Sequence, residues 1–264
     1  MRRQAAILAV LALVLLSGCS LLGGEATPTT EPTATATATE TPVPYPDGYS
    51  SDGVTNATAA RAGHVDGLLA TANYTLGYNA TVCAENGTTR VTLLQSISPA
   101  EPRALSDTIV ASGGDRGSQA VRRTRYYADG TQYVRVQRDG NTSYGTINGT
   151  VPATAFVGSQ YVDAVLTNVS YDTATRFERA NETFFRFTTS SIDDPGALLS
   201  DGISPDEVAS GNVTLVVDRD GIVQSVRYNA TVSRDGRTTR YSVTVAVAGI
   251  GNTTVQRPDW AQAD

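Results

Sequence analysis

Apolar and polar residues alternate with a period of two along much of the chain. Val213, Leu215 and Val217 mark one such run, and Val243, Val245 and Val247 mark another. This period is typical of strands with one buried face and predicts a mainly β domain. Short turn signals separate the runs, at Asn86-Gly87, Asp129-Gly130, Asp139-Gly140, Asp220-Gly221 and Asp235-Gly236. Each favours a hairpin, so the strands are predicted to form an antiparallel meander.

Three segments depart from this alternation and have helical spacing. The first begins with Asp52 as its predicted cap and repeats apolar residues every three or four positions. The second, 154–165, follows Pro152, and the third is a loop with short helical turns over 193–199. Apolar helices that interrupt a meander need a sheet face to pack on. The predicted fold is therefore α+β and mainly β: a curved antiparallel sheet, a half-barrel, with the N-terminal helix and the inserted helices on its concave face.

The inserted segments supply the residues around the space between helices and sheet. Three short covers over a large sheet leave room for an apolar cavity of the size that ligands occupy. The candidate cavity residues are Phe156, Tyr161, Val165, Leu198 and Leu199. They either line a hollow or fill a core, and both arrangements fit the pattern.

The N-terminus has the layout of an export signal. Arg2 and Arg3 precede an apolar run that ends at Leu16, which is shorter than the roughly 20 residues needed to span a bilayer. The motif Leu16-Ser17-Gly18-Cys19 resembles the lipobox of bacterial and archaeal lipoproteins. This resemblance implies that residues 1–18 are removed and that Cys19 carries lipid on its sulfur. The alternative is an ordinary secretory signal whose cleavage site contains a cysteine.

Residues 19–50 are rich in Thr and Pro and contain no periodic apolar residues. Such a segment cannot offset the entropy of ordering, so it is predicted to be a disordered tether, often O-glycosylated in exported proteins. Residues 51–264 are then long enough for a single β domain.

Charge and composition exclude some classes of binding partner. The chain of 264 residues has a net charge of −6 and no lysine, and Asp outnumbers Glu by more than two to one. A negative surface argues against nucleic acid and against adhesion to anionic headgroups through charge alone. The composition resembles that of secreted proteins of halophilic archaea, in which carboxylates keep the protein soluble at high salt.

The single histidine and the second cysteine are predicted to be structural. His64 has no carboxylate or cysteine at metal-binding or catalytic spacing, which predicts a surface residue. With Cys19 assigned to lipid, Cys83 has no intrachain partner. It is interpreted as a small buried hydrophobic residue, with an intermolecular disulfide as the alternative.

Two kinds of surface site remain. Asn-x-Ser/Thr triplets occur throughout the chain, and Asn86 and Asn141 are favoured as glycosylation sites because both lie at turns. Arg122, Arg123 and Arg125 form a basic cluster in which alternation places Arg123 and Arg125 on one face, with Tyr127. The cluster is either a contact for an anion or lipid headgroup, or a charged solvent face.

Motifs for chemistry are absent from the sequence. It contains no Gly-x-Ser-x-Gly, zinc cluster, phosphate loop or Rossmann glycines, and its acidic pairs lack the calcium-loop pattern. We therefore expect no enzymatic activity, no metal and no cofactor.

The order of features resembles the lipoprotein-carrier superfamily, which includes the bacterial outer-membrane lipoprotein carrier and the mycobacterial lipid-carrying lipoproteins. These features are the lipobox, the tether, an amphipathic helix that leads into an aromatic strand, hairpins, a helical insertion after Pro152 and late paired strands. The chain also looks like haloarchaeal lipoproteins that end in Pro-x-Trp, here Pro258-Asp259-Trp260. The resemblance implies a sheet that wraps helices around an apolar cavity for acyl chains.

Two functions follow as expectations. The first is a lipoprotein, anchored on the extracellular face of the membrane through Cys19, that binds or carries a lipid or another apolar ligand. The second is a glycosylated cell-surface module that serves a structural role or binds other surface proteins and has no ligand. Neither function involves nucleic acid.

Overall fold

The computed structural model of the protein describes residues 43–115, 117–200 and 202–262. The predicted signal 1–18, Cys19 and most of the predicted tether lie outside the described residues. The described part contains three α-helices, α1 (Ala57–Leu69), α2 (Ser159–Thr167) and α3 (Pro195–Leu198). Short 3-10 turns occupy Ala153–Ala155, Pro205–Glu207 and Asp259–Ala261. No helix in this part is both long enough and apolar enough to cross a membrane.

Thirteen strands make up most of the described residues. They are β1 (Tyr49–Ser50), β2 (Gly53–Val54), β3 (Tyr74–Ala84), β4 (Gly87–Ser98), β5 (Arg103–Gly114), β6 (Gly117–Ala128), β7 (Thr131–Arg138), β8 (Asn141–Asn148), β9 (Thr173–Arg179), β10 (Glu182–Thr189), β11 (Val208–Asp218), β12 (Val223–Arg234) and β13 (Arg237–Ala248). β1 and β2 form a small pair, and the other eleven form one sheet in the order β8-β7-β6-β5-β4-β3-β13-β12-β11-β10-β9. Every pairing in this sheet is antiparallel, and β8 and β9 are its two edges.

The sheet consists of two meanders joined at its centre by the pairing of β3 with β13. The connection from edge strand β8 to edge strand β9 contains α2, and α1 precedes β3. The sheet does not close, and helices pack on one of its faces, which we call the helix face. The predicted mainly β, α+β fold with an open antiparallel sheet is therefore confirmed.

The core lies between the helices and the β10–β13 and β3 half of the sheet. Phe187 and Leu215 pair in register and are fully buried, and Leu68 on α1 and Val162 on α2 belong to the same hydrophobic cluster. The helix face of these strands is apolar because the alternating residues identified in the sequence point to this side.

Turn chemistry fixes several hairpins. Asp129-Gly130, Asp139-Gly140 and Asp235-Gly236 all have positive φ at both residues, as two-residue hairpins of type I′ require. The sequence analysis missed the β9–β10 hairpin, where Ala180 and Asn181 adopt positive φ without a glycine. Its turn lacks the usual signal, although Phe185 and Phe187 alternate along β10.

Residues assigned to the tether take part in the fold. The ring of Tyr45 lies 4.7 Å from that of Phe185, and buried Tyr49 stacks on Phe187 at 5.4 Å. Val43 also packs against the core. The sequence set the start of the domain at residue 51 because it found no periodic apolar residues before that point. Isolated aromatic side chains, which have no period, bury here against β10.

The prediction that His64 lies on the surface is wrong, because the side chain is only 1% exposed. The backbone N–H of Val223 donates to its Nδ1 at 3.1 Å, which leaves the proton on Nε2, and that group donates to the carbonyl of Val157 at 3.1 Å. His64 thus connects α1 to β12 and to the segment that precedes α2. Close approach of α1 is possible because a Cβ at Gly67 would lie only 2.5 Å from Ile222 Cγ1.

Asn56, and not Asp52, caps α1. The Oδ1 atom of Asn56 accepts from the backbone N–H of Ala59 at 3.1 Å. Asp52 lies in the short turn between β1 and β2, a pair that the sequence pattern did not indicate.

The tail segment, residues 249–262, runs over the face opposite to the helices. Thr253 donates its backbone N–H to Asn73 Oδ1 at 2.6 Å and bonds the Thr75 hydroxyl, and Thr75 alternates with helix-face residue Leu76. Farther along, Trp260 lies 6.5 Å from the ring of Tyr144 on β8. Trp260 therefore contacts the β7–β8 end of the sheet.

Candidate functional site

Cross-strand register shows which residues share the helix face on β5, β6 and β7. Tyr127 pairs with Ala104 and Gln132, and the ring of Phe156 lies 5.5 Å from that of Tyr127. This row is covered, because Ala104 and Tyr127 are both 3% exposed. Rows farther from the helices have a different character.

The uncovered rows carry valines. Val110 on β5 pairs with Val121 on β6. In the next two rows, Val136 on β7 pairs with Arg123, and Val134 pairs with Arg125. Val110 is 41% exposed, and Val121, Val134 and Val136 are half-buried. Strand spacing makes this region about 10 Å wide and about 14 Å long. We call the region formed by Val110, Val121, Val134, Val136, Arg123 and Arg125 the open valine face.

Arg123 and Arg125 project from β6 into the open valine face. Their shared face with Tyr127 agrees with the sequence prediction. Neither guanidinium takes part in an ion pair or a side-chain hydrogen bond within residues 43–115, 117–200 and 202–262. Burial and the charge of Arg123 lower the pKa of Arg125, while Tyr161 raises it, and an arginine stays protonated under such shifts.

Arg122 shows the contrast on the opposite face. Its Nε donates to Asp107 Oδ1 at 2.8 Å and its Nη2 donates to Oδ2 at 2.6 Å. This bidentate pairing satisfies the charge of Arg122 within the protein. The two arginines of the open valine face lack such a carboxylate among the described residues, so their positive charge is available to an anion.

The five cavity candidates all belong to the core cluster or pack against it. Val165 and Leu198 are buried in the core cluster, and Phe156, Tyr161 and Leu199 are partly buried against it. Tyr161 stacks on Tyr78 at 4.6 Å, next to Arg125. Phe156 and Tyr161 thus mark the edge at which helix cover ends, whereas the other three lie farther inside.

No cavity candidate lines the clefts that open on strands β11–β13, beside Pro152 and beside Trp260. The assignment of these five residues to a ligand site stays a prediction. The sequence analysis did not single out the valines of the open valine face, because their exposure depends on how far the helices extend over the sheet.

The two candidate glycosylation sites are exposed, and Cys83 is half-buried. Asn86 and Asn141 are exposed at hairpin ends, which is compatible with glycosylation. Cys83 is free and half-buried on β3, and not fully buried as interpreted from the sequence. Within the described ranges, no group of three or more His, Cys, Asp or Glu side chains is arranged to hold a metal ion.

Comparison with protein families identifies this chain. The model described as "Family of unknown function (DUF7537)" matches residues 4–263, so the chain belongs to that family. No curated protein matches the sequence.

Solved structures include distant matches. LprF from Mycobacterium bovis is 11% identical, with 78% of this chain and 97% of that chain covered and a TM-score of 0.35. Lipoprotein LppX from Mycobacterium tuberculosis is 8% identical, with 76% and 97% covered and a TM-score of 0.36. A β-barrel-like DUF1849 protein from Brucella abortus is 11% identical, with 67% and 98% covered and a TM-score of 0.22. Mycobacterial lipoproteins were among the families that the sequence resembled.

Proposed function

We propose that this protein is a lipoprotein, anchored through Cys19 on the extracellular face of the membrane, that binds an amphiphile on the open valine face. The ligand consists of an acyl chain and an anionic headgroup. The observation that carries the proposal is the presence of two arginines without carboxylate partners, among the described residues, beside one exposed and three half-buried valines on the helix face. No catalytic step is part of it.

The valines supply the apolar half of the site. An acyl chain that lies along them is removed from water, and each buried CH2 group contributes about 0.8 kcal/mol. The rings of Phe156 and Tyr161 border the site on the helix side and extend the apolar surface. The acyl chain of the ligand therefore lies on the sheet beside the helices. The sequence analysis had predicted a cavity between the helices and the sheet.

The arginines supply the polar half. Arg123 and Arg125 are same-face neighbours about 7 Å apart along β6, a spacing at which both can reach one headgroup. A guanidinium binds carboxylate or phosphate through paired hydrogen bonds. In a protein with a net charge of −6, such a local cationic site selects anions by contrast with its surroundings.

The location follows from the N-terminal sequence. The lipobox-like motif supports lipidation of Cys19, and the Thr- and Pro-rich residues that follow separate the domain from the membrane. Asn86 and Asn141 are the proposed glycosylation sites. Glycans there leave the open valine face free, because both residues lie at hairpin ends.

A matched pair of ligands tests the proposal. The full mature chain is titrated with a fluorescent fatty acid and with the fatty alcohol of the same chain length. We expect the acid to bind at least about tenfold more tightly, because one charge-assisted hydrogen bond is worth about 1.5–3 kcal/mol. The double variant Arg123→Gln/Arg125→Gln should lose this difference.

The control is Arg90→Gln, which removes an exposed arginine from the opposite face of β4. It should leave both affinities unchanged. If neither the fatty acid nor the fatty alcohol binds, the amphiphile site is refuted and the surface-module alternative is favoured. Equal binding of acid and alcohol would refute the headgroup contact alone.

A further inference from the structure

A cleft lies on the face opposite to the helices, between the tail segment and strands β7 and β8. Its volume is about 860 Å³, within the range of small-molecule sites. The lining includes the aromatic residues Tyr133, Tyr144 and Trp260. The aromatic side chains project from the face opposite to the open valine face, because Tyr133 alternates with helix-face residues Gln132 and Val134 along β7. Val134 is the one residue that belongs to the lining of both sites.

The aromatic surface is exposed and held in position. Tyr144 is 64% exposed, and its ring meets that of Trp260 at a centroid distance of 6.5 Å. The guanidinium of Arg135 lies 5.2 Å from the Trp260 ring, and that of Arg257 donates to the carbonyl of Ala261 at 2.8 Å. Trp260 is therefore held by contacts with Arg135 and Tyr144, so little side-chain freedom of Trp260 is lost when a ligand binds beside it, and Tyr144 presents most of its ring to solvent.

Polar groups surround the rings. Thr146, Asn148 and Asp259 line the cleft with a hydroxyl, an amide and a carboxylate. Across the described part of the chain, none of these three side chains makes a hydrogen bond to another protein group. They therefore present free donors and acceptors beside an exposed aromatic surface.

We propose that this cleft binds carbohydrate. A sugar ring combines an apolar C–H face, which stacks on Tyr144 or Trp260, with hydroxyl groups that both donate and accept hydrogen bonds. The amide of Asn148 and the carboxylate of Asp259 match such hydroxyl groups. A purely apolar ligand would leave these polar groups without partners.

The carbohydrate has two potential sources. It is either a glycan of another molecule or a glycan attached to this chain, because Asn148-Gly149-Thr150 is a glycosylation triplet at the rim of the cleft. Both sources have the same chemistry, and the experiment separates them.

The first arm uses the full mature chain produced without glycosylation. It is titrated with maltotriose, cellotriose and chitotriose, and binding is followed by calorimetry and by the fluorescence of Trp260, the only tryptophan. We expect saturable binding of at least one trisaccharide, which Tyr144→Ala weakens about tenfold. Leu94→Ala, a matched exposed position on the same face outside the cleft, should have no effect.

The second arm uses protein from its own cells. Mass spectrometry of glycopeptides shows whether Asn148 is modified, and Thr150→Ala removes the triplet while it keeps Asn148. If no trisaccharide binds, an altered Trp260 emission in Thr150→Ala relative to a glycosylated wild type supports the attached glycan. Absence of trisaccharide binding together with an unmodified Asn148, or with unchanged emission, overturns the proposal.

Discussion

His64 provides the sharpest stability prediction, because its imidazole connects three segments through two buried hydrogen bonds. His64→Ala leaves the carbonyl of Val157 and the N–H of Val223 unpaired, and both residues are at most 1% exposed. Each such group costs about 1–3 kcal/mol, and the empty space left by the ring adds to this. We expect His64→Ala to lower the free energy of unfolding by about 3–5 kcal/mol.

The same geometry predicts a pH dependence. Burial lowers the pKa of His64, and the hydrogen bond to Val157 and the charge of Asp163 oppose this shift without overcoming it. Protonated imidazole would direct a second N–H from Nδ1 at the N–H of Val223. The unfolded chain, with a histidine pKa of about 6.5, therefore binds the proton first. Stability is full above that pH and falls as the pH drops toward the folded pKa, by up to about 1.4 kcal/mol per pH unit.

Asp218 contributes to the pH dependence of stability with the opposite sign. Burial raises the pKa of Asp218, although Gln224 and two backbone N–H groups oppose the shift. Its contribution to stability is present below the unfolded carboxyl pKa and is lost as the pH rises through the folded pKa.

The variant His64→Gln isolates the histidine, because its amide can replace both hydrogen bonds but does not titrate.

The assay is urea unfolding followed by circular dichroism between about pH 5.5 and 7.5. Wild type should lose stability toward the acidic end, and His64→Gln should show a smaller slope. An equal slope in both proteins would refute the role of His64 in the pH dependence. A cost below about 1 kcal/mol for His64→Ala would refute its role as a buried connection.

Other predictions concern the core, the anchor and the start of the domain. Val165→Trp should lower the free energy of unfolding by about 1–3 kcal/mol in urea unfolding, because Val165 is 1% exposed; unchanged stability would reveal a hollow there. Cys19→Ser should leave the signal uncleaved or release the protein from the membrane fraction after centrifugation, and a variant that is cleaved normally and still stays with the membranes would contradict the lipid anchor. A chain that begins at Ser51 should be roughly 1–3 kcal/mol less stable in thermal unfolding than one that begins at Val43, because it lacks the packing of Tyr45; equal stability would show that this packing contributes nothing.

The sheet was predictable because both of its determinants are local. Alternation such as Val243, Val245 and Val247 selects the buried face, and Asp-Gly pairs such as Asp235-Gly236 select the turn. The hairpin at Ala180-Asn181 was not predicted, because its turn has positive φ angles but contains no glycine.

The burial of His64 could not be predicted, because its partners are backbone groups 93 and 159 residues away in sequence. Side-chain spacing contains no information about backbone partners. The contact of Trp260 with Tyr144, on a strand far from the last one, could not be predicted either, because no period in the sequence marks it.

For the candidate site, the sequence correctly placed Arg123 and Arg125 on one face. It did not reveal that Val134 and Val136 flank them, because this depends on the register between β6 and β7. It also did not reveal that Val110 is exposed, which depends on where helix cover ends. Local alternation therefore gave the orientation of the site, whereas its composition required the tertiary structure.

The most direct test of the central claim is native mass spectrometry of the protein purified from the membranes of its own cells. We expect an additional noncovalent mass that corresponds to an anionic amphiphile, beyond any lipid attached to Cys19. This adduct should persist in Arg90→Gln and be lost in Arg123→Gln/Arg125→Gln. A wild-type spectrum that shows only the covalent protein, or an adduct that is undiminished in the double variant, would contradict the binding of an amphiphile by the open valine face.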